Sequence, residues 1–482
     1  MLLDELTYQI RQEFPFEPTR EQLEVMHTFA RFATDREPNV AMILRGSAGT
    51  GKTSLGGALV RTMLRLKQKV MLLAPTGRAA KVFSLNSGYV AFTIHRKIYR
   101  QKSFAGDFNL NYNTCRDTIF MVDEASMIAN GGYSDTPFGT GRLLDDLVRF
   151  VYSGRNCRLL LIGDKAQLPP VGETESPALQ QSALQGYGLK VYACDLDEVL
   201  RQSQESGILY NATVIRQMIA HDELTQLPRI RFHGFADIRI VPGDELIESL
   251  ASSYSRVGID ETMVVTRSNK RANIYNIGIR NTILGREEEL TTGDQLMIVK
   301  NHYGNSYSSA SDEKQNGTPS FLANGDRAVV QRVRNVRSLY GFRFADVWLQ
   351  FPDYENYDLQ STVILDTLQA EAPALAREQQ EQLFNAVMED YADIPTKPDR
   401  IARMRQDAYY NALQVKYAYA VTCHKAQGGQ WAHVYIDQGY MTDDMLTPDY
   451  IHWLYTAFTR ATEHLFLVNW PKTQTEDFSV SG

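Results

Sequence analysis

Short, uninterrupted apolar runs punctuate the first 200 residues: Val40-Ala41-Met42-Ile43-Leu44, Val70-Met71-Leu72-Leu73, Ile119-Phe120-Met121-Val122 and Leu159-Leu160-Leu161-Ile162. Runs without polar alternation predict strands buried on both faces, as in a parallel sheet covered by helices. Leu55, Leu59, Met63 and Leu66 recur at helical spacing after the first run, so strand and helix alternate in the α/β manner. Similar runs return at Met263-Val264-Val265, Val434-Tyr435-Ile436 and Leu465-Phe466-Leu467-Val468 and predict a second α/β unit. Between them, from 291 to 410, the pattern changes. Residues 296–299, 328–333, 342–349 and 362–365 read as short strands, several alternating apolar with polar, which suits a small β-barrel. The polar stretch 304–319 reads as a loop, and 366–408 as a mildly acidic helical excursion broken by Pro395 and Pro398. A smaller insertion at 91–113 predicts a β-hairpin, with 100–104 and 108–112 flanking Ala105-Gly106-Asp107.

Composition adds bounds more than content. The chain has 482 residues, 43% hydrophobic and 22% charged, as expected of a soluble protein of several domains. Met1-Leu2-Leu3-Asp4-Glu5 turns acidic at once and no apolar run reaches membrane-spanning length, so the expected location is cytoplasmic, with no membrane partner. Cys115, Cys157, Cys194 and Cys423 are too scattered for a zinc cluster or a disulfide framework and are expected to be small buried hydrophobes. The net charge of −7 means that any nucleic-acid groove must be locally basic.

The strongest chemical signal is Gly46-Ser47-Ala48-Gly49-Thr50-Gly51-Lys52-Thr53, a P-loop between a strand and a helix. Chance produces such a pattern on the order of once in fifty chains of this length. The glycines let the backbone N–H groups and the helix N-terminus face phosphates, Lys52 reaches the β/γ-phosphates, and Thr53 suits Mg²⁺. Asp123 and Glu124 end a later apolar strand, where ligands collect in such sheets. Asp123 suits the Mg²⁺ shell and Glu124 the activation of water. Gln167, in Gly163-Asp164-Lys165-Ala166-Gln167-Leu168-Pro169-Pro170, is placed to sense a γ-phosphate.

These three segments resemble motifs I, II and III of superfamily 1 helicases. Ala74-Pro75-Thr76-Gly77-Arg78-Ala79-Ala80-Lys81 and Thr93-Ile94-His95-Arg96 resemble motif Ia and its companion in RecD-like and Dda-like members. Val421-Thr422-Cys423-His424-Lys425-Ala426-Gln427-Gly428 and Tyr455-Thr456-Ala457-Phe458-Thr459-Arg460 are similar to motifs V and VI. The ordered set identifies the chain as similar to superfamily 1B DNA helicases.

The resemblance implies two RecA-like α/β domains in tandem: 1–90 with 114–200, and 201–290 with 411–482. The hairpin insertion at 91–113 is expected from its position and its two aromatics to act as a wedge, while the resemblance implies an SH3-like barrel at 291–410, the helical excursion lying outside the common pattern. It further implies Gln22, in Thr19-Arg20-Glu21-Gln22, as the adenine reader and Arg201 and Arg460 as arginines approaching the γ-phosphate. Arginine fingers contribute roughly 10³ to 10⁵ in rate in comparable sites. The implied DNA contacts are Thr76, Thr93, His95, His424 and Lys425, with Pro75 and Thr422 in the same motifs and Arg78, Lys81 and Arg96 less specific; Asn269, which follows a strand, is placed to hold backbone. Phe104 and Phe108 of the hairpin would stack on a terminal base pair.

The expectation is an ATP- and Mg²⁺-dependent motor, working as a monomer on single-stranded and forked DNA. The polarity that the family implies is 5′ to 3′. Three alternatives stand beside it: an RNA helicase of the same superfamily, a P-loop switch without unwinding, and a helicase-nuclease, for which no nuclease cluster is visible. Asn269-Lys270 departs from the GTPase base selector because position 272 is Ala.

Overall fold

The computed structural model describes residues 2–101, 108–131, 138–198, 205–223, 226–302 and 322–476. The chain forms two compact units: Met1–Tyr99 with Asn109–Gly243 and Ala426–Gly482, and Arg100–Phe108 with Asp244–Lys425.

The first unit is built on β1 (Val40–Gly46), β2 (Lys69–Ala74), β3 (Ala91–Thr93), β6 (Thr118–Val122), β7 (Arg158–Gly163) and β8 (Lys190–Leu196). Between β3 and β6 the short strands β4 (Tyr99–Gln101) and β5 (Phe108–Leu110) form a ribbon whose intervening residues, including Phe104, lie outside the described residues. The six strands run parallel in the order β3-β2-β6-β7-β1-β8. All four predicted apolar runs are strands here. The edge strands β3 and β8 carried no such signal, because an edge strand need not be apolar on both faces. Helices Arg20–Thr34 and Lys52–Arg65 cover one face of the sheet. Phe29 and Phe32 of the first and Leu55, Leu59 and Met63 of the second pack in one core with Met42, Leu44 and Leu160.

The parallel strands after residue 237 are divided between the two units. In the first unit β9 (Ile238–Val241) pairs in parallel with β18 (Ala461–Val468), and β18 with β17 (Trp431–Asp437). In the second unit β10 (Thr262–Thr266) pairs in parallel with β16 (Ala420–Thr422). The second unit also holds a closed barrel of β11 (Gln295–Ile298), β12 (Arg327–Leu339), β13 (Phe342–Phe351), β14 (Tyr357–Ile364) and β15 (Leu413–Tyr417). Helices Arg377–Glu389 and Lys397–Met404 form the excursion. Leu383, Val387 and Met404 bury their side chains against Phe342, Phe344 and Ile364 of the barrel. The predicted loop at 304–319 lies outside the described residues. Cys157, Cys194 and Cys423 are buried and Cys115 partly so, none in a disulfide. Among the described residues no helix is long and apolar enough to cross a membrane.

Candidate active site

β1 delivers the chain into the glycine loop at the C-terminal edge of the sheet. Gly49 and Gly51 adopt φ of 78° and 77°, a left-handed region that glycine enters without steric cost. Gly46 is needed for space, since a Cβ there would lie 3.1 Å from Thr50 Oγ1 and 3.3 Å from Lys52 Cβ. Thr50 closes the loop by donating from Oγ1 to the Ser47 carbonyl at 2.8 Å. Helix Lys52–Arg65 starts from Gly51 without a side-chain cap, so its first N–H groups and positive dipole end are open to an anion. Lys52 Nζ donates to the Gly46 carbonyl at 3.1 Å, and Thr53 is exposed on the first turn.

Gln22 braces this loop from outside the sheet. Its Oε1 accepts from Thr19 N at 3.0 Å while Thr19 Oγ1 accepts from Gln22 N at 3.3 Å, a capping box for helix Arg20–Thr34. Its Nε2 donates to the Thr50 carbonyl at 2.9 Å. The residue expected to read adenine is thus 1% exposed and has both ends of its amide engaged within the protein.

Asp123 and Glu124 follow β6. Asp123 Oδ1 accepts from Glu124 N at 2.9 Å, and Glu124 sits at φ 52°, a setting that costs a non-glycine residue of order 1 kcal/mol and clusters at functional sites. Burial and the Glu124 carboxylate beside it push Asp123 above the usual carboxylate range, against the pull of Lys52. Two crowded acids next to an open helix N-terminus form a donor set suited to a hard cation.

β7 ends in Gly163, where a Cβ would lie 3.0 Å from Ser126 N, and leads into Asp164 and Gln167. With its amide nitrogen toward Glu124 and its oxygen toward Arg460, Gln167 donates to Glu124 Oε2 at 3.3 Å and accepts from Arg460 Nη2 at 3.1 Å. This orientation satisfies both neighbours. Arg460, 2% exposed, is also held by the carbonyls of Thr456 (3.0 Å) and Gly429 (3.1 Å) and by Thr459 Oγ1 (3.1 Å). The structure therefore brings Asp123, Glu124, Gln167 and Arg460 together, while Arg201 lies outside the described residues.

Helix Pro448–Phe458 grips the same region. Tyr455 Oη donates to Asp164 Oδ2 at 2.7 Å and accepts from Ala48 N at 2.9 Å. Thr456 Oγ1 accepts from Leu168 N at 2.8 Å, and His452 Nδ1 lies 2.9 Å from the Ala166 carbonyl. From helix Gly207–His221, Arg216 donates to Ser47 Oγ at 3.0 Å and to Asp197 Oδ1 at 3.2 Å. Arg45, Ser47, Lys165, Gln167, Arg216 and His452 line a cavity of about 580 Å³ beside the loop. Tyr455 and Asp164 stood inside quoted motifs without an assigned role. Arg216 carried no sequence signal at all, because an arginine in mid-helix reads as a surface cation.

The strand-contact candidates fall into two groups. In the first unit Thr76 Oγ1 caps helix Gly77–Ser87, and Thr93 Oγ1 caps the turn after β3. Pro75 directly follows β2. Arg78 donates to the Gln430 carbonyl at 2.9 Å and lies over the Trp431 ring. The His95 ring packs on Phe138 and Tyr99, and burial pushes it down to about 4. In the second unit Asn269 begins the helix after β10, and Thr422, His424 and Lys425 follow at the end of β16, so the parallel pair brings them to one edge. Lys425 donates from Nζ to Asn324 Oδ1. Phe108 begins β5, and its side chain is outside the described residues.

An AAA domain family model matches residues 19–226, and a UvrD-like helicase C-terminal domain model matches residues 417–468. The chain is 32% identical to the ATP-dependent RecD2 DNA helicase of Deinococcus radiodurans over 324 residues, 64% of this chain and 40% of that protein. It is 25% identical to the ATP-dependent DNA helicase Dda of enterobacteria phage T4 over 278 residues, 55% of this chain and 57% of that one. Over these segments the chain is similar to helicases of the RecD2 and Dda type. The chain spans less than two thirds of either relative's length. Among solved structures it is similar to a Pif1 helicase from Bacteroides, at 14% identity and a TM-score of 0.45, over 96% of this chain and 95% of that one.

Proposed function

We propose that the chain is an ATP-dependent DNA helicase that translocates along single-stranded DNA from 5′ to 3′ and separates the duplex ahead. The observation that carries this reading is the amide of Gln167 linking Glu124 to Arg460 beside an uncapped P-loop helix. Phosphoryl transfer needs positioning and charge stabilisation more than covalent chemistry from the protein. In this reading Glu124 orients the attacking water, Lys52 and Arg460 neutralise the charge developing on the phosphoryl oxygens, and Gln167 keeps base and arginine in register. Thr53 and Asp123 would hold Mg²⁺, which when bound neutralises charge on the phosphates. Arg201 acts as a second arginine, and Gln22 serves the adenine rim while holding Thr50.

Strand binding is assigned to Pro75, Thr76, Arg78, Thr93 and His95 in one group and Asn269, Thr422, His424 and Lys425 in the other. The ribbon within the 91–113 insertion, through Phe104 and Phe108, serves as the wedge. The protein acts as a monomer on single-stranded and forked DNA, with domains bounded at 1–90 with 114–200, 201–290 with 411–482, and 291–410. The deciding experiment compares ATP-driven displacement of duplexes carrying a 5′ or a 3′ single-stranded tail. Displacement confined to the 5′ tail supports the reading. Hydrolysis that no DNA stimulates, with neither duplex opened, overturns it.

A further inference from the structure

Ser47 and Ala48, the second and third residues of the glycine loop, are its most cross-linked part. The Ser47 carbonyl holds Thr50 Oγ1, Ser47 Oγ accepts from Arg216 at 3.0 Å, and the next amide, Ala48 N–H, donates to the Tyr455 phenol at 2.9 Å. The two outside residues come from helices Gly207–His221 and Pro448–Phe458, which pack against each other. Neither side chain is a loose surface group. Tyr455 is 1% exposed, and the Arg216 side chain is 15% exposed.

The phenol of Tyr455 also donates to Asp164 Oδ2 at 2.7 Å, and Asp164 opens the turn that carries Gln167. The same helix carries Thr456, which accepts from Leu168 N, and the turn just after its end carries Arg460, which donates to Gln167. One hydroxyl thus joins the phosphate loop, the Gln167 turn and the helix that leads into Arg460. Burial and the Asp164 carboxylate hold Tyr455 well above the usual phenol range, so it is a neutral donor and acceptor at any working pH.

We propose that Tyr455 and Arg216 are positioning residues for ATP hydrolysis. They fix the Ser47-Ala48 arm of the loop against the Gln167 turn, so that the setting of the phosphate loop and the placement of Glu124, Gln167 and Arg460 change together. This rests on the nucleotide-site reading above. A loop displaced by the triphosphate pulls on Tyr455 and Arg216, and through Tyr455 on Asp164. Conversely, a shift of the two helices resets the loop. Loss of either contact leaves the loop able to bind nucleotide and slackens its link to the hydrolytic groups.

The experiment uses the full chain with Tyr455→Phe, Arg216→Gln, Arg216→Lys and Ser47→Ala, measuring ATP KM and kcat with and without single-stranded DNA. Fluorescent ATP-analogue binding and thermal melting are measured alongside. Tyr455→Phe is expected to lower kcat about tenfold or more, the loss of a hydrogen bond to a buried charge, with KM changed less than about threefold. Stimulation by DNA should shrink in parallel. Ser47→Ala with Arg216→Gln should be non-additive, and Arg216→Lys should restore part of the loss. Wild-type kcat and stimulation in Tyr455→Phe, or additive effects of Ser47→Ala and Arg216→Gln, would overturn the assignment. A melting shift with unchanged kcat in the folded fraction would reduce both residues to structural roles and overturn it equally. An unaltered chain without DNA-stimulated hydrolysis would instead remove the helicase reading, so the two failures are separable.

Discussion

Two buried aspartates, one in each unit, meet burial in opposite ways. Asp294, just before β11, is fully buried and is met by Arg280 at 2.9 Å through both oxygens, by Arg286 at 2.7 Å, by Thr291 N at 2.8 Å and by the Tyr419 hydroxyl at 2.8 Å. Burial alone would raise it, but these partners hold it below the usual carboxylate range. Asp123, just after β6, has one backbone donor, a second acid beside it and the opposing charge of Lys52, and it is pushed up. The first carboxylate is neutralised by its own chain and serves the architecture. The second keeps an electrostatic deficit that a bound cation would relieve. The degree of shift matters less than whether the protein itself supplies the opposite charge.

The sharpest way to test the contrast is on the nucleotide side. Lys52→Ala should lower DNA-stimulated ATP turnover by at least about a hundredfold, while single-strand affinity measured by fluorescence anisotropy largely survives. Retained turnover would break the P-loop assignment. Next comes the matched pair. Asp294→Asn leaves two guanidinium groups without a buried anion and should cost about 3–5 kcal/mol in urea unfolding. Asp123→Asn should abolish turnover yet leave the melting temperature unchanged or raised, because it relieves repulsion from Glu124. Equal destabilisation in both would remove the distinction.

The sign of the pH effect at Asp294 follows from its lowered value. Its contribution is complete above the unfolded carboxylate value of 3.8 and is lost as pH falls through its folded value. Acid unfolding should therefore show a limb that Asp294→Asn lacks. The smallest expected effect is at Lys425. Burial and the nearby charge of Lys416 push this ammonium down to about 8. Single-strand affinity should fall roughly fivefold as pH rises through that value, about the loss of one charge-assisted hydrogen bond. The decline should flatten in Lys425→Ala.

The central strands β1, β2, β6 and β7 and the glycine loop were legible in the sequence because their causes are local: an apolar run, a positive φ, a helix start. The barrel was visible for the same reason, through alternation in β12 and β13. What was not legible depends on distance along the chain. The capping box around Gln22 can be read from neighbouring residues, but its bond to Thr50 spans 28 positions. Tyr455 reaches Ala48 across 407 positions and Arg216 reaches Ser47 across 169, so no local pattern announces either. β8 escaped notice because its exposure follows edge packing, with Lys190 and Asp195 exposed and only Cys194 and Leu196 buried. His95 was expected to meet a strand. Its ring also packs on Tyr99 and Phe138, a tertiary contact that the motif does not encode.

The Gln22 brace has a practical corollary for anyone dissecting the molecule. A fragment cut to begin at Val40 would retain every glycine of the loop, yet it would lose the amide that pins Thr50 from below. Its nucleotide pocket would contain all the recognised letters and still have a slack rim. The boundary of the smallest working nucleotide site therefore lies upstream of the glycine signature, at the helix start marked by Thr19.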